Sequence, residues 1–367
     1  MSNSLNILPL EEWMDVSPHP LVISGPCSAE SKQQMLQTAH ELANNPYVKI
    51  FRAGIWKPRT RPGSFEGAGI EGLKWLQAVK QETGLKVSTE VATPQHIEAA
   101  VKHGVDILWI GARTVVSPFS MQEIAEALKG IDIPIMVKNP LNPDVKLWIG
   151  ALERINQVGI NKLMAIHRGF DYFRKTPFRN APMWEIPIEL KRLIPNLPII
   201  VDPSHICGKR ELLFDISQKA FDLNMDGLMI ESHIHPEQAI TDAAQQITPA
   251  ELMEMMDSLI IRSSKGTIEF EHHLEELRSE IDKIDAQLIQ MLGHRMRVVE
   301  EIGNYKKQNN ITILQLKRWG NLIKNRMELG ETLNLDKDFL LKILELLHKQ
   351  SIQVQTDIMS GNEKKKD

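Results

Sequence analysis

Eight short β-rich apolar runs, each followed by a stretch with helical periodicity, fill residues 21–231, and this alternation limits the possible folds more than any other feature of the chain. The runs are LVISGPC (21–27), VKIFRAG (48–54), KVSTEV (86–91), ILWIG (107–111), PIMVK (134–138), KLMAIHR (162–168), PIIVD (198–202) and GLMIE (227–231). Between them, segments such as GLKWLQAVKQ, QHIEAAVKH, MQEIAEALK and ELLFDISQKAFDL repeat apolar residues at three and four, the spacing of one helix face. Strands alternating with crossover helices pair in parallel. Eight such units within about 250 residues predict an α/β fold, a closed (β/α)8 barrel. The rival is an open doubly wound sheet, which usually carries a Gly-rich phosphate turn after its first strand; here that turn is GPCSAE.

The chain has 367 residues, so a barrel leaves an appendage to explain. After Ile261 the texture changes: RSSKGTIE reads as a linker, and no β run follows it. From about Glu269 to Gln308 the residues Leu274, Leu277, Ile281, Ile284, Leu288, Met291, Leu292, Val298, Val299 and Ile302 keep helical spacing without a proline. At ~1.5 Å per residue this helix is roughly 55 Å long, too long for a small monomeric core to cover. A homodimer through the helical domain is expected, with a tetramer open. Two shorter helices are expected near Leu316–Leu329 and Asp338–Thr356, separated by breaks at Gly330 and Asn334. The expected division is barrel 1–262, linker 263–271, helical domain 272–357 and a disordered tail 358–367.

Charge and composition exclude several classes of function. A net charge of −4 and a pI near 6.3 give no broad basic field for nucleic acid. No stretch approaches eighteen uninterrupted apolar residues, and the N-terminus lacks the pattern of an export signal, so no membrane partner and a cytoplasmic location are expected. In that reducing compartment the two cysteines, Cys27 and Cys207, read as thiols with a task or as buried small hydrophobes rather than as a bridge. No separate regulatory module is expected before the first strand.

Barrel enzymes work at the C-terminal mouth, so polar residues ending apolar strands are candidates for chemistry. In order the strand ends deliver Cys27; Arg52 with Lys57 and Arg59 beyond it; Glu90; Arg113; Lys138; His167 with Arg168; Asp202 with His205; and Glu231. One such residue is usually a solvated terminus, but convergence around a whole rim is harder to explain that way. Cys27, His205, Glu231 and Asp242 together offer sulfur, nitrogen and two carboxylates, a set suited to a divalent transition metal. Equally, Cys27 could be packed and His205 merely hydrogen-bonded. Arg52, Lys57, Arg113, Lys138 and Arg168 crowd cations that repel one another unless an anion such as a phosphate lies among them, and Arg59 with Thr60 offers room for a second phosphate. A metal beside a polyanion site suggests activating a carbonyl for attack by a phosphorylated partner. The competing chemistry, a Schiff base on Lys138, would leave the metal set unexplained.

The motifs GPCS (25–28), KPRT (57–60), IGAR (110–113), HRG (167–169) and DPSH (202–205) resemble the 3-deoxy-D-arabino-heptulosonate 7-phosphate (DAHP) synthase family over roughly residues 10–262. The resemblance implies that Cys27, His205, Glu231 and Asp242 bind a divalent metal, manganese first, with iron, cobalt or zinc as alternatives. It implies phosphoenolpyruvate on Arg52, Lys57, Arg113, Lys138 and Arg168, with Asp202 beside it, and erythrose 4-phosphate on Arg59 and Thr60. Glu90 or His167 would orient the water. Related synthases of 3-deoxy sugar acids share the barrel, so the alternative is a metal-dependent aldolase or sugar-acid synthase with a non-catalytic helical dimerisation domain.

In the appendage, LRSEID, LGHRMRVVEEIGNYK and Gln355 resemble the all-helical chorismate mutase family over about residues 272–357. This implies that Arg278 and Arg295 grip the carboxylates of chorismate, Arg278 in a second subunit's site. Lys306 and Gln355 would face the ether oxygen, with Arg318 nearby. Gln315 and Trp319 stand where that family usually has acids, which bears on how the substrate is oriented. The fusion itself suggests that chorismate or prephenate bound by the helical domain restrains the synthase.

Overall fold

The computed structural model describes residues 5–16, 20–57, 63, 65–262, 266–314 and 316–361. The chain divides into two compact units, Met1–Ser264 and Lys265–Asp367. Among the described residues, no helix is long and apolar enough to cross a membrane.

In the first unit eight parallel strands close in sequence order: β1 Leu21–Gly25, β2 Val48–Arg52, β3 Lys86–Val91, β4 Ile107–Ile110, β5 Ile135–Lys138, β6 Leu163–His167, β7 Ile199–Val201 and β8 Gly227–Glu231. β1 pairs with β8, Leu21 opposite Gly227 and Gly25 opposite Glu231, and this closure brings the first and last strand ends together. Side chains alternate along each strand. One set, Leu21, Ile23, Ile50, Ile107, Trp109, Met136, Met164, Ile166, Ile200 and Met229, fills the barrel and packs with Leu10 and Met14 of the N-terminal segment. The other set, including Val22, Phe51, Leu108, Val137, Leu163, Ala165, Ile199, Val201 and Leu228, packs against the helices.

Two residues beyond Ile50, Met136, Ile166, Ile200 and Met229 come Arg52, Lys138, Arg168, Asp202 and Glu231, all buried. Strand periodicity therefore sets a charged layer directly on top of the apolar barrel filling. Helix starts are marked by an N-cap side chain followed by proline: Thr93 before Pro94, Ser117 before Pro118, Asp202 before Pro203 and Thr248 before Pro249. The third of these caps belongs to the functional layer.

The second unit is wholly helical among its described residues: a long helix Ile268–Gln308, a middle helix Leu316–Thr332 and a last helix Lys337–Ser360. The long helix starts earlier than the expected domain boundary because Thr267 caps it, accepting from Phe270 N at 3.2 Å, so residues 268–271 are helical rather than linker. The last helix runs past Thr356 to Ser360, where Gly361 closes it in the left-handed region. Gly330 does not end the middle helix; a Cβ there would stand 2.1 Å from Leu340 Cδ2, so its glycine serves close packing against the last helix. Asn334, at φ 54°, makes the turn.

Candidate active site

Each side chain of the mouth is aimed by the element that carries it. At β1, Cys27 is buried with its N–H donated to Gln246 Oε1 at 2.9 Å, while Ser28 Oγ and Thr241 Oγ1 lie 2.6 Å apart. These contacts tie the β1 loop to the loop after β8, and Cys27 Sγ comes 3.3 Å from Asp242 Oδ2. Asp242 holds φ 51°, an uncommon left-handed conformation for a residue with a side chain. Cys27, Glu231 and Asp242 offer ligand atoms that all lie within 4.8 Å of one another. His205 stands just outside that mutual set, its Nε2 3.9 Å from Glu231 Oε1. Its place follows from Asp202, which caps the helix Pro203–Cys207 by accepting His205 N at 3.1 Å and fixes the ring through Nδ1 at 2.8 Å.

The cations adjoin this cluster. Arg52 Nη1 donates to Glu231 Oε1 at 2.7 Å, Arg52 Nη2 to the Cys27 carbonyl at 3.1 Å, and its guanidinium lies 4.9 Å from the Trp109 ring centre. Lys57 Nζ is 2.8 Å from the Cys27 carbonyl and 3.0 Å from its Sγ. Lys138 pairs with Asp202 Oδ2 at 3.0 Å, and Arg168 Nη1 donates to Asn180 Oδ1 at 2.8 Å. Arg113 is exposed on the helix Ala112–Val115, and its charge is felt at Arg168. Glu90 accepts from Trp109 Nε1 at 2.9 Å, and its carboxylate fills the space that Gly111 leaves open.

Protonation follows from burial and these neighbours. Burial, with Glu231 nearby, pushes the Cys27 thiol up to about 12. Burial alone would raise Glu231, but the charges of His205, Arg52 and Lys57 bring it down to about 2. Asp202, buried between His205 and Lys138, is held well below the usual carboxylate range. Burial lowers Arg168 to about 10. A buried thiol and two carboxylates converge in one cluster, and a divalent cation held among them would favour the thiolate. The residues present fit a metal.

His167 is placed elsewhere. It is in phase with Leu163 and Ala165, which face the helices, and not with Arg168. Its ring sits 5.7 Å from Phe170 and 5.2 Å from Trp184, and burial with Arg168 beside it lowers its pKa to about 3. Arg59 and Thr60 lie outside the described residues. Arg179, Asn180 and Gln245, which contact the cluster or Arg168, carry no periodic signal in sequence; the only hint is that Gln245 follows Asp242 by one helical turn.

Residues 17–264 match the family model described as the DAHP synthetase I family. The chain belongs to that family. The chain is 31% identical over 226 residues to the phospho-2-dehydro-3-deoxyheptonate aldolase of Thermotoga maritima, an alignment covering 62% of this chain and 64% of that one. It spans just under two thirds of that relative's length. It is 27% identical over 263 residues to a 2-dehydro-3-deoxyphosphooctonate aldolase of Campylobacter jejuni, covering 65% of this chain and 95% of the relative. Among solved structures, the phospho-2-dehydro-3-deoxyheptonate aldolase (DAHP synthase) of Thermotoga maritima superposes with a TM-score of 0.59 at 26% identity, covering 70% of this chain and 75% of that one. Behind the DAHP synthetase I region, residues 277–356 match the model of chorismate mutase type II.

In that second region, Arg295 Nη1 donates to Ser351 Oγ at 2.9 Å, linking the long helix to the last. Gln355, one turn beyond Ser351, is buried and packs on Gly303, where a Cβ would lie 3.2 Å from Gln355 Cγ. Lys306 Nζ is 2.6 Å from the Ile313 carbonyl, and Arg278 is exposed, 3.5 Å from Glu275. Gln315 lies outside the described residues, as does the side chain of Arg318 within the middle helix. Trp319 stacks on His348, ring centres 3.6 Å apart. Ser351 and His348 share the face of the last helix that carries Gln355, and both went unnoticed in sequence.

Proposed function

We propose that the protein condenses phosphoenolpyruvate with erythrose 4-phosphate to DAHP and phosphate, and that its helical unit rearranges chorismate to prephenate. The first activity rests on one observation above all: the buried cluster of Cys27, Glu231 and Asp242 adjoins Arg52 and Lys57 in a mouth that also carries Lys138 and Arg168. Cys27, Glu231 and Asp242 would hold a divalent metal with His205 beside them; Mn2+ is favoured, and Fe2+, Co2+ or Zn2+ also suit the donors. When bound, the metal supplies Lewis-acid polarisation of the aldehyde.

The chain's own residues do the rest. Lys138, Arg168 and Arg113 receive the phosphate and carboxylate of phosphoenolpyruvate, and Arg52 and Lys57 carry positive charge to the boundary between anion and metal ligands. Arg59 and Thr60 take the phosphate of the aldehyde. C3 of phosphoenolpyruvate bonds to the aldehyde carbon, water adds at C2, and the C2 phosphate leaves. Glu90, held by Trp109, orients that water better than His167, which faces away from the barrel interior. Asp202 pairs with Lys138 and keeps His205 oriented.

The rearrangement of chorismate needs no nucleophile, only a compact conformer and charge stabilisation at the ether oxygen. Arg295 grips a carboxylate, Lys306 and Gln355 face the ether oxygen, Arg318 stands near, and Arg278 completes the site of a second subunit. A homodimer through the helical unit is supported by the exposed Leu277, Ile281, Ile284, Leu288, Met291 and Leu292 of the long helix. The protein works in the cytoplasm, and prephenate or chorismate bound to the helical unit inhibits the synthase.

Carbon counting supplies both the test and the second reading, which the octonate relatives favour. Removing the three carbons of phosphoenolpyruvate from a heptulosonate leaves a four-carbon aldehyde; from an octonate it leaves five. Phosphate release should require the four-carbon phosphorylated aldehyde and stop with a chelator. Release only with a five-carbon aldehyde overturns the heptulosonate reading. Chorismate consumption by the same preparation tests the second activity.

A further inference from the structure

One segment of the mouth has no part in that reaction. After β6 the chain turns at Gly169 and comes back as Phe170 and Ala181 pair antiparallel, with both N–H to O contacts at 2.8 Å. The returning strand lays Arg179 and Asn180 beside the β7 loop, Arg179 N donating to the Cys207 carbonyl at 3.3 Å and Asn180 N to that of Ile206 at 3.1 Å. The seat is tight. A Cβ at Gly169 would fall 2.8 Å from Asn180, and one at Gly208 would fall 2.6 Å from Arg179 Cβ.

From this seat the two side chains reach both halves of the site. Asn180, only 4% exposed, accepts from Arg168 Nη1 at 2.8 Å and donates through Nδ2 to the His205 carbonyl at 2.6 Å. Arg179 Nη1 donates to Asp242 Oδ1 at 3.0 Å and to Gln245 Oε1 at 2.8 Å. Gln245, buried, passes the contact on by donating to Glu231 Oε2 at 2.6 Å. Engaging Oδ1 of Asp242 leaves the other oxygen, Oδ2, toward Cys27 Sγ at 3.3 Å. Both carboxylates of the cluster are thus held from behind, and outer contacts of this kind orient ligands and tune affinity.

We infer that Arg179 and Asn180 form a positioning strap tying the anion-binding Arg168 to the metal-ligand cluster, so that anion binding tightens metal binding and the reverse. The inference rests on reading this mouth as a metal and phosphoenolpyruvate site. Linkage requires the effect to be reciprocal. Opposite charges in one mouth also attract directly, so the diagnostic residue is the uncharged one: Asn180→Leu alters no charge and removes the contacts to Arg168 and to the His205 carbonyl.

The test uses the full chain without the aldehyde, so nothing turns over. Free Mn2+ is followed by its paramagnetic resonance signal during titration, with and without phosphoenolpyruvate. Phosphoenolpyruvate is expected to tighten Mn2+ binding at least about fivefold in the unaltered protein, and Asn180→Leu should lose most of that gain. Arg179→Gln, at a side chain that is 46% exposed and tolerant of change, should weaken Mn2+ binding alone by roughly 10- to 100-fold. Arg179→Lys should recover part of it through Asp242. Unchanged Mn2+ affinity in Arg179→Gln together with an undiminished phosphoenolpyruvate effect in Asn180→Leu overturns the strap while leaving the functional reading standing. If the unaltered protein binds neither Mn2+ nor phosphoenolpyruvate, both fall.

Discussion

Lys57 and Arg168 hold positive charge inside a buried mouth, and their removal is expected to be costly where a developing or transferred anion must be met. Lys57→Ala and Arg168→Ala should each lower kcat/KM for phosphoenolpyruvate by an amount worth about 2 to 5 kcal/mol, measured by steady-state phosphate release; a loss below tenfold would remove these residues from the anion site. His167 gives a different prediction. Its folded pKa lies near 3 against an ordinary 6.5, so between those values the unfolded chain binds the extra proton and stability falls as pH falls. Stability lost between pH 7 and 5 through this ring should amount to about 2 kcal/mol. Denaturant titrations of His167→Phe should show that much less pH dependence than the unaltered chain; an equal slope would mean the ring titrates alike in the folded and the unfolded chain. Glu231 behaves in the opposite range, since its depressed value contributes stability above the ordinary 4.5 that is lost only as pH drops toward about 2. The placement of His167 was within reach of sequence reasoning: His167 and Arg168 are neighbours on a strand, so only one can face the interior. Arg168 follows Ile166 and Met164 inward.

At the scale of elements, the strands were easy to read because parallel strands are buried on both faces and appear as continuous apolar runs. All eight expected runs contain an observed strand. DPSH was legible as a motif, but its physical sense appears only in the fold, where Asp202 caps the helix that carries His205 while accepting Lys138. Arg179, Asn180 and Gln245 were not legible, since their partners are set by loop paths with no period. In the helical unit the long helix, 41 residues and so roughly 60 Å, exposes more apolar side chains than the other helices cover. Ile284→Glu combined with Leu288→Glu should convert a dimer to a monomer in sedimentation velocity; a mass unaffected by both changes would place the subunit contact elsewhere. Trp319, stacked on His348 where the mutase family usually has an acid, fills the position with a ring instead of a carboxylate.

For the whole molecule, two family matches lie on one chain, residues 17–264 and 277–356, and under the proposed function a single polypeptide would carry both the condensation and the rearrangement. Prephenate added to a synthase assay should lower the rate to a saturable limit, and a rate unmoved at saturating prephenate would separate the two activities. Under the proposed function, the cation ring and the metal ligands serve one reaction centre. Anomalous diffraction from crystals grown with Mn2+ and phosphoenolpyruvate tests it most directly. A manganese peak bonded to Cys27 Sγ, His205, Glu231 and Asp242 is expected, with phosphoenolpyruvate density on Lys138 and Arg168 in the same mouth; manganese bound away from Cys27, or phosphoenolpyruvate bound away from Arg168, would separate the two sites.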